Sequence, residues 1–482
     1  MAKGQELIAL AARAVVGLLN KGEVTPHDLL DALEARIAAV DGAVNALPTL
    51  CFERARGHAD RLMRQPASAR GPLAGLPVPI KDLTDVAGVR TTHGSRIFAD
   101  NVPATSNILV EHLEAQGGIV YAKSNTPEFG AGANTFNDVF GATLNPWNTT
   151  RSAAGSSGGA AVALATGMAW LAHGSDMGGS LRNPASFCGV VGMRPSIGRV
   201  AKTAGATMDG TLSVEGPMAR NVEDLALLFD AMCGEHPADP LSVAAPPASF
   251  LSAAQSGWRP KKVAYSADLG ITPVDPEVAA ITRAAAQRLA DAGVIVEEAH
   301  PDFSEAHECF QTLRALSFAV GRAKLMRAHR DLMKPEMIWN IEKGLALTPD
   351  DIARAQAQRV ALVQRTAKFF ETYDLLLCPA TIVAAFPIEQ RYLAECAGHR
   401  FETYIDWLAI VYAATLACCP ALSLPCGFTS EKLPVGLQVV GPSHADGRVL
   451  AGAKLIEDML GLQGMTPIDP RADAAASRAA AQ

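Results

Sequence analysis

The sequence predicts an α/β protein built on a largely parallel or mixed β-sheet. Three observations carry this. Short apolar runs of strand length recur beyond residue 119, stretches of helical text separate them, and glycine-rich turns mark several junctions. With 49% hydrophobic and 19% charged residues the chain can bury a sizeable core, which excludes global disorder.

Taken in order, the first 65 residues read as helices. Thr25-Pro26-His27-Asp28 is a helix start, with a capping threonine, proline at the first helical position and an acid three residues after the cap. Leu29, Leu30, Leu33, Ile37 and Val40 follow at helical spacing. After the turn-rich Gly71 to Gly75, the run Leu76 to Ile80 is a buried strand ending at Lys81. Gly118 to Ala122 and Ala169 to His173 are further strands, and Gly155 to Gly159 opens an Ala/Val-rich helix between them. A helix runs from Asn221 to Met232. The Pro-, Ala- and Ser-rich stretch 234–259 is a surface linker. Strand Lys262 to Tyr265, helix Pro276 to Ala292 and strand Val294 to Glu297 follow, then mainly helix over 305–372. The Ala-rich tail from Arg471 is expected to fray.

The formal net charge of −7 with no basic block argues against nucleic acid as a partner. The start lacks a signal peptide's pattern, and the longest apolar stretch, Leu408 to Leu424, contains Cys418-Cys419-Pro420 and reads as buried core rather than a membrane span. Nine cysteines without a CxxC pair read as reduced, mostly buried thiols in a cytoplasmic protein, with no metal site.

Three segments can carry chemistry. In Val78-Pro79-Ile80-Lys81-Asp82 a lysine follows a buried strand. Either it snorkels to pair with Asp82 or Asp85, or it is desolvated into a base, which requires lowering its pKa by roughly 3 units. Gly155-Ser156-Ser157-Gly158-Gly159 presents backbone amides at a helix start, as a flexible cap or an active turn. It also fits G-x-S-x-G, which opens a rival reading: an α/β-hydrolase with Ser157 as nucleophile, Asp374 as acid and His444 as base. That fold also wants an upstream His-Gly-Gly-type motif, which this sequence lacks. In Gly174-Ser175-Asp176-Met177-Gly178-Gly179-Ser180-Leu181-Arg182, the amides from Met177 to Ser180 can form an anion nest ending on a serine, between Asp176 and Arg182. The plainer reading is a capped turn with a surface ion pair.

Together these segments resemble the amidase signature family. The resemblance extends to Gly71-Pro72-Leu73-Ala74-Gly75-Leu76-Pro77 before the lysine segment, Phe187-Cys188-Gly189-Val190-Val191-Gly192, Gly216-Pro217-Met218-Ala219-Arg220 and Leu433-Pro434-Val435-Gly436-Leu437-Gln438. It covers roughly residues 5–465. It implies an α/β/α fold in which a large twisted mixed sheet is covered by helices on both sides. One domain, 1–482, would then comprise an N-terminal helical layer (1–65), a signature core with the catalytic residues (66–232), a surface linker (233–260), a C-terminal half with substrate-pocket helices (261–470) and a frayed tail (471–482).

The resemblance implies a Ser–cis-Ser–Lys triad: Ser180 as nucleophile, Ser156 as bridging serine on a cis peptide, Lys81 as base. Oxyanion donors would be the amides of Met177, Gly178, Gly179 and Ser180, with Ser157, Asp176 and Arg182 in support. No metal or organic cofactor is implied. Ala154 stands where the family often has glycine, and Met177 where threonine or isoleucine is common, which bears on substrate shape.

The implied activity is hydrolysis of a carboxylic amide through a seryl acyl-enzyme. Candidate pocket residues are Phe129, Met177, Met208, Phe318, Met337 and Trp339, which favour a small apolar or aryl amide. The alternatives are carbamate or ester hydrolysis by the same triad, and the glutaminase component of an amidotransferase. The expected partner is a small-molecule amide, with no nucleic acid or membrane, and the enzyme is expected to be a monomer or homodimer.

Overall fold

The computed structural model describes residues 2–203 and 210–472. The N-terminal layer holds the helices Ala2–Ala9, Ala12–Lys21, Pro26–Val40 and Phe52–Met63. Thr25 and Asp28 cap the third reciprocally, and Leu29, Leu30, Leu33, Ile37 and Val40 form its buried face.

Eight strands form the main sheet, in the order Ile295–Glu298, Lys262–Tyr265, Leu375–Pro379, Pro434–Val440, Ala421–Phe428, Val191–Arg194, Val214–Ala219 and Leu171–Asp176. The first three are parallel and the remaining pairings antiparallel, so the sheet is mixed. Its two faces feed separate cores, as the two-residue strand period requires. Leu375 and Leu377 pack with the helices Val222–Met232, Pro276–Asp291 and Asp446–Leu460, whereas Leu376 and Cys378 pack with Ala306–His329 and Ala409–Leu416. Helices therefore cover both sides.

The Lys81 strand, Pro77–Lys81, lies in a second, three-stranded sheet, parallel to Ile119–Ser124. Both strands are fully buried, which explains their unbroken apolar text. A hydrogen bond from Lys81 N to His173 Nδ1 (3.3 Å) joins this strand to Leu171–Asp176, the last strand of the main sheet.

Three differences from the sequence expectations have clear causes, and one stretch expected as core is core in two elements. The strand expected to stop at His173 continues to Asp176, because its antiparallel partner matches Gly174, Ser175 and Asp176 with Gly216, Glu215 and Val214. The expected surface linker contains a helix, Phe250–Ala254, whose Phe250 ring stacks on Phe229 at 4.1 Å. The Asp230 carboxylate accepts that helix's first amides, from Phe250 and Leu251. Leu408 to Leu424 is buried core, but it divides into the helix Ala409–Leu416 and the start of a strand at Ala421. Arg471, where fraying was expected, docks its amide on Pro146 O and its guanidinium over Trp147; residues 473–482 lie outside the described residues.

All nine cysteines are unpaired and seven are buried. Among the described residues no helix is long and apolar enough to cross a membrane.

Candidate active site

Lys81 does not snorkel; its side chain is 0% exposed. Its Nζ lies 2.8 Å from Ser156 Oγ, 2.9 Å from Ser157 Oγ and 3.0 Å from Ser175 Oγ. Asp82, its suggested surface partner, instead faces Lys123 and Thr92. Burial pushes the Lys81 ammonium down to about 7, against the opposing fields of Glu215 and Asp176. A neutral amine has one lone pair, so one of the three hydroxyls donates to it, and Ser156 is placed to do so.

Ser156 follows a cis peptide at Gly155–Ser156. Ser157 precedes the buried helix Gly158–Ala165, and its amide donates to Ser180 O at 3.1 Å, tying the two serine loops together. Ser157 Oγ also reaches Ser175 N and O at 3.4 Å, which requires glycine at 174: a Cβ there would stand 2.7 Å from that hydroxyl.

Asp176 and Arg182, both fully buried, hold the turn between them. The carboxylate accepts from Arg182 Nη2 at 2.8 Å and Nε at 3.1 Å, and from the amides of Gly179 (3.0 Å) and Leu181 (3.1 Å). Burial works against the charged form, but Arg182 and Arg194 outweigh it and hold the carboxyl well below its ordinary value. Arg182 also donates to Val411 O and Gln438 Oε1, anchoring the turn to the helix Ala409–Leu416 and the main sheet. This is a buried scaffold, not the surface ion pair of the plainer sequence reading.

The turn corrects one expectation. Gly179 N–H, a candidate oxyanion donor, is already spent on Asp176 Oδ1. The amides of Met177, Gly178 and Ser180 have no protein acceptor among the described residues. Gly179 has φ +95°, and a Cβ there would stand 2.5 Å from Val411 Cγ2, so the turn admits only glycine.

Ser156, Ser175, Met177, Gly178 and Ser180 all line one cavity of about 630 Å³. Ser156, Ser180 and free amides thus meet at one opening, with buried Lys81 hydrogen-bonded to Ser156, an arrangement able to activate a hydroxyl and stabilise an oxyanion. The rival constellation does not assemble. Asp374 caps the amides of Lys261 and Lys262, His444 donates its amide to Ser196, and Ser157 Oγ is occupied by Lys81.

A sequence profile of the family Amidase matches residues 28–450. The chain belongs to the amidase signature family. It is 33% identical over 458 residues to an acylamidase of Rhodococcus erythropolis, covering 94% of this chain and 96% of that protein. It is 36% identical over 478 residues to one of the subunits of the glutamyl-tRNA(Gln) amidotransferase of Moorella thermoacetica, covering 94% and 97%. The solved structure of a bacterial aryl acylamidase of the same family superposes with a TM-score of 0.88 at 25% identity, covering 95% and 99%. The protein is an amidase.

Of the expected pocket residues in this amidase, Phe129, Met177 and Phe318 line the cavity. Met337 does not: it is 0% exposed, because the inward face of its helix packs against Ala306–His329. Trp339 lies outside the lining, partly exposed, with its ring edge-on to Tyr404. Met208 lies outside the described residues.

Sequence reasoning missed several lining or supporting groups. Ser175 gives Lys81 its third hydroxyl. His173 accepts Lys81 N–H on Nδ1, which assigns its ring proton to Nε2, 2.7 Å from Glu215 Oε2. Burial disfavours the Glu215 carboxylate, but the His173 hydrogen bond and the fields of Lys202 and Lys81 together outweigh it, so its pKa lies below the ordinary value. A histidine inside an apolar strand, paired two strands' text away with a glutamate, was the available signal. Among the described residues no group of three or more His, Cys, Asp or Glu could hold a metal ion.

Proposed function

We propose that this amidase cleaves small apolar or aryl carboxylic amides through a seryl acyl-enzyme, with Ser180 as nucleophile, Ser156 as proton bridge and Lys81 as base. The observation that carries this is the contact of solvent-excluded Lys81 Nζ with Ser156 Oγ at 2.8 Å, beside a cavity lined by both Ser156 and Ser180. Neutral Lys81 takes the Ser156 proton as Ser156 takes that of Ser180. Ser180 Oγ bonds to the amide carbon, and the carbonyl π pair moves onto oxygen, facing the amides of Met177, Gly178 and Ser180. Collapse of the intermediate breaks the C–N bond while the proton returns through Ser156 to the leaving nitrogen. Water, deprotonated by the same relay, then cleaves the ester to the acid and regenerates Ser180.

Phe129, Met177, Phe310, Leu313 and Phe318 support an apolar acyl or amine group. The names of the acylamidase relative and the aryl acylamidase structure support the same substrates. Carbamates and esters offer the same carbonyl to Ser180 and are secondary substrates in this reading. The enzyme acts on a small molecule, as a monomer or homodimer, without nucleic acid. The identity to the amidotransferase component supports a second reading, a glutaminase acting with partners. A panel of anilides, aliphatic amides, carbamates, esters and glutamine tests both. Stoichiometric acid and arylamine from anilides is expected; turnover of glutamine alone would favour the second reading, and no turnover of any amide would sink the first.

A further inference from the structure

The cavity that Ser156 and Ser180 line also holds a guanidinium with no hydrogen-bonding protein partner among the described residues. Along the helix Ala306–His329, Arg314, Phe318 and Arg322 recur every fourth residue and form one stripe on the cavity. Arg314 is satisfied by neutral partners, Asn340 Oδ1 and Tyr404 OH. The other lining cations, Lys202 and Arg359, also bond to protein acceptors. Arg322 differs. Among the described residues it has no hydrogen-bond acceptor and no ion pair; its guanidinium lies over the rings of Phe129 at 4.8 Å and Phe318 at 5.3 Å. Glu128, whose field reaches Arg322, accepts its hydrogen bonds from Ser95 and Lys334 N, and the cavity's other carboxylates are engaged as well, Glu215 by His173 and Asp239 by the amides of Lys202 and Leu241.

This cation lines the same cavity as Ser156 and Ser180. Phe129 is followed by Gly130, where a Cβ would lie 3.3 Å from Ser156 Oγ. One aromatic ring thus separates Arg322 from the segment touching the bridging serine. A half-buried guanidinium held by ring faces, with its N–H groups unused, is ready for bidentate recognition of a planar anion.

We propose that Arg322, seated on Phe129 and Phe318, is an anion subsite that selects amides carrying a carboxylate about one ring's width from the scissile bond. This rests on the amidase reading above and narrows it, from apolar or aryl amides to acidic ones. The class includes acylaminobenzoates and the monoanilides of short dicarboxylic acids.

The test is the ratio of kcat/KM for an acid to that for its neutral isostere, on each side of the bond: 4-acetamidobenzoate against 4-acetamidotoluene, and glutaric monoanilide against pentananilide. The acid is expected to be preferred in at least one pair. R322Q should lower that ratio about tenfold to a hundredfold, the usual scale for losing a hydrogen bond to a charged group, and R322K should restore part of it. A ratio untouched by R322Q in both pairs overturns the proposal. If R322Q does not fold, the wild-type ratio decides: it should fall as salt rises, and a ratio indifferent to salt overturns the subsite. If no amide is hydrolysed, the proposed function fails, and calorimetry with benzoate still decides this inference. Binding weakened in R322Q supports it, and absent or unchanged binding overturns it.

Discussion

Lys81 Nζ lies 2.8 Å from Ser156 Oγ, and among the described residues the lysine forms no ion pair with any carboxylate. Its hydrogen-bonding neighbours are hydroxyls and one carbonyl. An ammonium so placed is poorly compensated, which is why burial lowers its pKa to about 7 and makes it a usable base at neutral pH. In the proposed relay the neutral form is the base, so kcat/KM should rise with pH through about 7 and level off above it. K81A should lose about a thousandfold or more, within the range for removing general base catalysis. A flat pH–rate profile, or near-normal turnover in K81A, would remove Lys81 from that role.

Glu215 acts electrostatically on Lys81, the proposed base. Its negative field raises the Lys81 pKa, partly opposing burial. E215Q therefore should move the acid limb of the pH–rate profile to lower pH while leaving the plateau less affected. A limb that stays in place, or moves to higher pH, would show that the His173–Glu215 pair does not act electrostatically on Lys81.

Gly179 sets the turn that aims the amides of Met177, Gly178 and Ser180. G179A combines a positive φ with a Cβ 2.5 Å from Val411 Cγ2. It should lower kcat about a hundredfold or more, the scale of losing oxyanion stabilisation, with KM changed less. Circular dichroism checks that the fold survives. Full activity in folded G179A would contradict the role given to the turn.

The Asp176–Arg182 pair is structural and buried. Removing one partner, as in D176N, leaves an uncompensated guanidinium and should cost about 3–5 kcal/mol in urea unfolding. The Asp176 carboxyl has its pKa depressed in the folded state. Its contribution is thus complete above the unfolded value of about 4 and is lost as pH falls below it. Wild type and D176N should therefore converge in stability in acid; a gap constant down to about pH 2 would contradict the pairing.

Much of this site was legible in the text because its chemistry violates its surroundings. A lysine ending an apolar strand, and serines and glycines opening helices, stand out without any three-dimensional information. Ser175 and His173 did not, because their roles come from pairing across strands. Ser175 reads as part of a turn, and only the ladder with Val214–Ala219 makes it strand and directs it at Lys81. Phe129 and Met337 show the same limit in the pocket. Both are apolar and both belong to one core cluster, yet only Phe129 reaches the cavity. Which face of the Met337 helix is used against Ala306–His329 is a packing outcome that helical period alone does not decide.

Ser180 as nucleophile, driven through Ser156 by Lys81, is tested most directly by the site of covalent modification by a fluorophosphonate, mapped by peptide mass spectrometry in wild type and S180A. One adduct is expected, on Ser180, formed faster as pH rises through about 7 with Lys81 and absent in S180A. An adduct on Ser157 or Ser156, or undiminished labelling of S180A, would contradict the assignment.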